Sequence, residues 1–483
     1  MIKCPHCSGE LDFDIKDQVV KCPYCDSEFN PKEEIGKVKS ASERKATEYD
    51  TGVTKGKCYT CSQCGAQLVT FDDTAVTFCS YCDSQALIAS EMDVLNPKLI
   101  IPFKKTKDEA IDMYLKKIKG SLFAPNNFKN DIILKKFRGI FMPYEIYDIE
   151  SHDQFLCDGE RYSHRSGDYI IYDKFLISGQ VDAKYDGISF DVSSGYGDDV
   201  SQAIPFDIKE GEEFNHNYLI GNYADTSDID SKIYDDNATS MVKTDLENTI
   251  RSNPKLYGYS ISNVKTSSDI KEKKKGFFPV YFASFRNKKG DRIHYAIING
   301  QNGKSAVDIP VDYKKYLFSS LLLAVPIFFI LQSFATITAQ EIAIASLIIL
   351  LVGFIIQAID IKKINDKENH VNDEGFNFKN LSQVDIQNPE AIKEKIATSI
   401  EKKKESNNTP KKIKGFGLYI FLTALIPGFL LLIRNYNDDL YYGSAIFSLV
   451  VCLFIFRFVV KKHNTFIARS LPQLNKRGGD ENE

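Results

Sequence analysis

Most of the usual signatures of an enzyme are missing from this chain of 483 residues. No HExxH, GxSxG or GxGxxG motif occurs, so zinc-peptidase, hydrolase-elbow and dinucleotide-fold chemistry lack their sequence signals. The nearest approach to a P-loop is Gly300-Gln301-Asn302-Gly303-Lys304-Ser305, with Ile298 standing where the leading glycine belongs. Asn299-Gly300 and Asn302-Gly303 read instead as hairpin turns. Histidine is sparse, and His152, His164, His216 and His294 are scattered rather than grouped. The expectation is a non-enzymatic protein with no catalytic residues and no organic cofactor. No apolar stretch precedes Cys4, so no cleavable signal peptide is expected. A basic surplus is also missing, since the formal net charge is -4.

What the chain does have is crowded cysteine. Nine of its 11 cysteines lie before residue 83. They form Cys4-Pro5-His6-Cys7 with Cys22-Pro23-Tyr24-Cys25, and Cys61-Ser62-Gln63-Cys64 with Cys79-Ser80-Tyr81-Cys82. In both sets 14 residues separate the two pairs, and adding 57 to a number in the first set gives its partner in the second. Leu11 and Leu68, Val19 and Val76, Asp26 and Asp83, and Ser27 and Ser84 obey the same offset. Ligand-type residues, interior positions and the following Asp-Ser therefore repeat together, as in a duplicated unit.

Zinc favours four soft ligands at tetrahedral corners, and two CxxC turns closing a short hairpin supply them. A unit of 22 residues cannot bury a stabilising core, so the metal must supply folding energy. Four protein ligands leave no open position for water, which makes the expected two Zn2+ ions structural. The ligands are Cys4, Cys7, Cys22 and Cys25 in the first site, and Cys61, Cys64, Cys79 and Cys82 in the second. Cys58 is surplus to the repeat, and His6 is a neighbour. Zinc thiolates require a reducing compartment, which points this end of the chain to the cytosol.

Charge argues against nucleic acid as partner. Residues 1–98 carry 11 Lys and Arg against 16 Asp and Glu. Two Zn(Cys)4 centres would take that net charge to about -9, opposite in sign to a phosphate-binding surface. Protein is the expected partner.

Four apolar runs, 317–334, 342–359, 416–433 and 443–460, each span 18 residues. At about 1.5 Å per residue they measure roughly 27 Å, near the hydrocarbon thickness of about 30 Å. Lysines 314, 315, 362, 363, 411, 412, 414, 461 and 462 flank them on one side. That asymmetry predicts a multi-pass cell-membrane protein with cytoplasmic termini. The expected architecture is multidomain. It has ribbon 1 at 1–30, a linker at 31–57 and ribbon 2 at 58–90. A mostly β (α+β) cytoplasmic domain at 96–312 leads into an all-α four-helix transmembrane region. A cytoplasmic loop at 361–414, with a helix near 388–400, and a tail at 461–483 complete it. Thr106 to Glu109 is a capping box before a helix on which Ala110, Ile111, Tyr114, Leu115 and Ile118 share a face and which Gly120 ends.

These features resemble a bacterial family of TFIIB-type zinc-ribbon membrane proteins, whose members often carry PriA-helicase or phage-replication labels. The carriers are the first two CPxC knuckles, Ile101-Pro102-Phe103-Lys104, Arg138-Gly-Ile-Phe-Met-Pro143 and Asn299-Gly-Gln-Asn-Gly-Lys304. The helicase label has no motif here to support it. The resemblance implies a membrane-anchored adaptor or scaffold in a membrane-stress response, with partners of the PspA or SPFH type. The alternative is a membrane-tethered nucleic-acid-binding or replication-associated factor. A transporter would need polar groups within its spans, and these are missing.

Overall fold

The computed structural model describes residues 3–33, 35, 53–71, 76, 78–193, 195, 197–227, 229–286, 292–334, 338–368 and 438–470. Three short strands, β1 (Asp12–Asp14), β2 (Val19–Lys21) and β3 (Glu28–Phe29), form the antiparallel sheet of ribbon 1. The other 13 strands form one mixed sheet. In chain order they are β4 (Val53–Cys61), β5 (Gln67–Thr70), β6 (Leu87–Leu95), β7 (Leu99–Ile100), β8 (Arg138–Ser166) and β9 (Tyr169–Asp191). Then come β10 (Glu212–Glu213), β11 (Tyr223–Asp225), β12 (Ser260–Lys265), β13 (Asp269–Arg286), β14 (Arg292–Asn299), β15 (Ser305–Val307) and β16 (Arg469–Ser470). The spine of the sheet runs β10-β7-β13-β8-β11-β5-β4-β6. The β7–β13 and β8–β11 pairs are parallel.

Both faces of this sheet are buried, and the residue alternation of its central strands shows how. On β13, Phe277, Tyr281, Ala283 and Phe285 face one core together with Leu11, Phe13 and Val20 of ribbon 1. Phe278, Val280 and Phe282 face another core with Cys61, Leu68, Cys79 and Tyr81 of ribbon 2. Successive side chains of a strand point to opposite faces. The hairpin of ribbon 1 and the cysteines of ribbon 2 therefore pack into cores on opposite sides of one sheet. Continuous apolar runs such as Phe277 to Phe285 are what a doubly buried strand requires.

Helix α1 (Lys107–Gly120) begins at the expected capping box. The Glu109 amide donates to the Thr106 hydroxyl at 3.3 Å, and the Thr106 amide donates to the Glu109 carboxylate at 2.7 Å. Ala110, Tyr114 and Ile118 are its buried stripe. The Asn299–Lys304 segment joins β14 to β15, with Ile298 opposite Ser305, and Gly303 takes φ +77° there. Two short helices, α2 (Asp131–Leu134) and α3 (Asp198–Ala203), flank the central strands. Helix α4 (Asp235–Arg251) lays Ala238, Val242 and Leu246 on the β8–β9 hairpin, against Tyr147 and Ile149.

Two parts of the architecture differ from the sequence expectation. The second ribbon is not a separate small domain. Its strands enter the main sheet, β5 pairing with β11 and β4 with β6, and β4 begins at Val53, inside the expected linker. The all-α four-helix transmembrane region is also not what the structure contains. Helices α5 (Tyr313–Phe334), α6 (Ala339–Glu368) and α7 (Asp438–Ile467) hold three of the four expected runs. Only Asp438–Thr465 within α7 is long and apolar enough to cross a membrane among the described residues. In α6 the apolar helix found among the described residues is Ala339–Gly353, shorter than a crossing helix requires. An apolar run of 18 residues lies near the minimum crossing length and also occurs in packed helices, so such runs alone do not define membrane spans. The run 416–433 and the helix expected near 388–400 lie outside the described residues. One candidate crossing helix does not support a four-span membrane partner or a multi-pass location with cytoplasmic termini.

Candidate metal centres

The eight repeat cysteines come together as two groups of four. In the first, Cys4 and Cys25 Sγ atoms are 3.6 Å apart and Cys7 and Cys22 Sγ atoms 3.4 Å. In the second, Cys61 and Cys82 are 3.6 Å apart and Cys64 and Cys79 3.7 Å. A tetrahedron of sulfurs about 2.3 Å from a zinc ion has edges of roughly 3.8 Å. The donor set and its spacing therefore fit a tetrahedral thiolate metal, with zinc the expected ion.

One turn is used four times. The first cysteine of each knuckle donates its amide to the carbonyl five residues on: Cys4 to Gly9 at 2.8 Å, Cys22 to Ser27 at 2.9 Å, Cys61 to Ala66 at 2.8 Å and Cys79 to Ser84 at 2.7 Å. Its carbonyl accepts from the amide four residues on, Ser8, Asp26, Gly65 and Asp83 respectively. Those four residues have φ of 62°, 55°, 76° and 62°. Small or Asx-type residues tolerate this left-handed conformation best, which accounts for the Asp26 and Asp83 match in the repeat.

The thiols of a group cannot all ionise alone. In the second group, hydrogen bonding with Cys79 holds the Cys61 thiol down to about 6, while hydrogen bonding with Cys61, Cys64 and Cys82 and then burial push the Cys79 thiol far up. In the first, the Ser27 hydroxyl and amide hold Cys25 down to about 6. A cation at the centre is what allows four thiolates to coexist there.

The two centres differ in their surroundings. All four cysteines of the second are buried, whereas Cys7 and Cys25 of the first are exposed. Tyr24 and Tyr81 occupy the same place in the repeat with opposite fates, at 72% and 0% exposure. Tyr81 donates to the Asp225 carboxylate at 2.7 Å, and its carbonyl accepts from the Tyr295 hydroxyl at 2.9 Å. Ser193 also donates to Asp225. Arg286 donates to the Cys82 carbonyl and to the Gln63 amide oxygen, each at 2.7 Å. Lys136 pairs with Asp83, and Arg138 lies over the Phe78 ring at 4.9 Å.

Ribbon 1 docks through its hairpin rather than its knuckles. Gln18 donates to the Phe103 carbonyl at 2.8 Å, Phe13 meets Tyr218 edge-on at 5.5 Å, and Asn217 donates to the carbonyls of Pro31 and Glu33. Cys58 is buried but belongs to neither group. His6 hydrogen-bonds Ser27 at 2.8 Å and is no part of the cysteine cluster. Sequence reasoning missed Asp225, Ser193, Arg286 and Tyr295, which carry no local motif.

Fold and site together define a mixed-sheet protein with two Cys4 centres, one exposed and one enclosed. No family model matches the chain, and no solved structure matches it significantly. Membership of the TFIIB-type family is thus not shown by comparison. The chain is similar to "Uncharacterized protein YdjG" of Bacillus subtilis (strain 168), at 26% identity over 228 residues. That alignment covers 46% of this chain and 66% of YdjG, slightly under two thirds of its length.

Proposed function

We propose that this protein is a non-enzymatic adaptor of the TFIIB-type zinc-ribbon kind, binding one Zn2+ in each Cys4 site and using ribbon 1 to hold another protein. The observation that carries this reading is the contrast between Tyr24 and Tyr81. The enclosed copy is committed to the sheet. The exposed copy sets an aromatic side chain beside Cys7 and Cys25 at the surface, and exposed aromatics of this kind anchor protein contacts. The acidic balance of residues 1–98 favours protein over nucleic acid. The apolar helix Asp438–Thr465 is a candidate membrane anchor for such an adaptor.

The test is affinity capture with the zinc-loaded full-length chain, comparing wild type with Tyr24→Ala and Cys22→Ser. Proteins retained by wild type and lost from both variants identify the ribbon 1 contact. A mobility-shift assay at low salt runs beside it. Tight, salt-sensitive DNA or RNA binding would overturn the adaptor reading in favour of a nucleic-acid factor.

A further inference from the structure

The β8–β9 hairpin is unusually long, 29 and 23 residues, and turns at Gly167 with φ +61°. At about 3.3 Å per residue, β8 follows roughly 90 Å of path from Arg138 to its tip. The apolar helices lie at its other end. Arg292 on β14 donates to the carbonyls of Thr465 and Ala468, and β14 pairs with the β13 segment that ends at Arg286, near Arg138 of β8. The hairpin therefore points away from α7, which argues for a protein rather than a lipid contact at its tip.

One edge of β8 is taken by β13 and β12, and the other by β11 at its start and by β9 from Tyr144 onward. The outer edge of β9 pairs with no strand among the described residues. Along that edge, Tyr169, Ile170, Ile171, Tyr172, Phe175 and Leu176 are exposed. Apart from Asp173 and Lys174 the tip half of this open edge is apolar, and an open apolar edge templates another strand. Helix α4 covers one face of the hairpin at its base, through Val181, Ala183 and Tyr185, and leaves the tip bare.

We propose that the chain forms a two-fold dimer in which β9 pairs antiparallel with β9 of a second copy, centred on Ser178. Antiparallel neighbours related by two-fold symmetry place one residue opposite its own copy. Centring on Asp173 or Lys174 sets like charges face to face, and centring on Gly179 sets Lys174 opposite Lys184. Centring on Ser178 sets Lys174 opposite the partner's Asp182, Phe175 opposite the partner's Val181 and Ile171 opposite the partner's Tyr185. Each bare tip then lies beside the helix-covered base of the other hairpin. Lys174 and Asp182 already meet Glu160 and His152 within the chain, yet their side chains are 81% and 73% exposed and free to bridge further.

The test is the mass of the purified full-length protein by light scattering. Wild type should have twice the chain mass, and the double variant Ile171→Lys, Leu176→Lys the single mass with an unchanged circular dichroism spectrum. Ser178→Cys should give a covalent dimer under mild oxidation above the level of wild type treated identically, and Ser166→Cys should not. A single-mass wild type, a double variant that still dimerises, or Ser178→Cys at background would each overturn the proposal.

Discussion

Replacing Tyr81 by phenylalanine removes one oxygen from the second ribbon and leaves the shape of the side chain intact. The lost hydroxyl is wholly buried and donates to Asp225 at 2.7 Å. Burial and then the charge of Asp225 hold the Tyr81 phenol well above its usual range, so it stays a donor throughout the working pH range. Asp225 keeps the Ser193 hydroxyl and the Thr226 amide, so it is weakened as an acceptor but not stranded. A hydrogen bond to a charged group contributes about 1.5–3 kcal/mol, and its loss here should cost about 2 kcal/mol. For a cooperative unit of this size that corresponds to roughly 4–8 °C in Tm. Tyr24→Phe is the matched control, because its hydroxyl stands in water. Thermal unfolding of the zinc-loaded protein, followed by near-ultraviolet circular dichroism, reads both. Equal Tm values for the two variants would refute the claim that Tyr81 fastens ribbon 2 to the sheet.

Elemental analysis should find two zinc ions per chain, one after Cys61→Ser, and still two after Cys58→Ser. Gly195→Ala would place a Cβ 2.6 Å from the Tyr81 ring, and should destabilise by about 1–3 kcal/mol in urea unfolding. Glu145 is buried with Oε2 lacking a hydrogen-bond partner among the described residues, and burial pushes its carboxyl above the ordinary range. The native state then holds this proton more tightly than the unfolded state, so its contribution to stability is present below the ordinary carboxylate range and lost as pH rises through the raised value. Glu145→Gln should therefore gain on wild type with rising pH when unfolding is measured from pH 4 to 8, and a gap that shrinks would refute the assignment.

Local rules made some of this structure legible and left the rest out of reach. The knuckles could be read because a CxxC turn, its left-handed residue and its ligands fall within six residues. The Thr106 capping box and the Phe277 to Phe285 strand are local in the same way. The support of ribbon 2 is not local. Tyr81 meets its partners 144 and 214 residues away, and Cys82 meets Arg286 after 204. No periodicity encodes such a meeting. Three of the four apolar runs fall in helices among the described residues, but an apolar run near the minimum crossing length does not by itself say whether its helix crosses a membrane.

The duplication therefore preserved a metal-binding unit and let its surroundings diverge. Ribbon 1 packs its hairpin on one face of the sheet, whereas ribbon 2 joins the sheet through β4 and β5 and packs its cysteines into the core on the other face, so neither can be removed without baring a core of phenylalanines and tyrosines. What differs is the knuckle end. In ribbon 2 it is enclosed by Tyr295, Arg286 and Asp225, and metal there is coupled to the whole sheet. In ribbon 1 Cys7 and Cys25 are exposed, and metal there is coupled to a small hairpin. Zinc should leave the two sites at different rates. Under a chelator at neutral pH, release is expected in two phases of equal amplitude. Cys7→Ser should remove the fast phase and spare the slow one, while Tyr81→Phe should accelerate only the slow one. A single phase in wild type would mean that enclosure does not control metal retention, and the division of labour between the ribbons would fall with it.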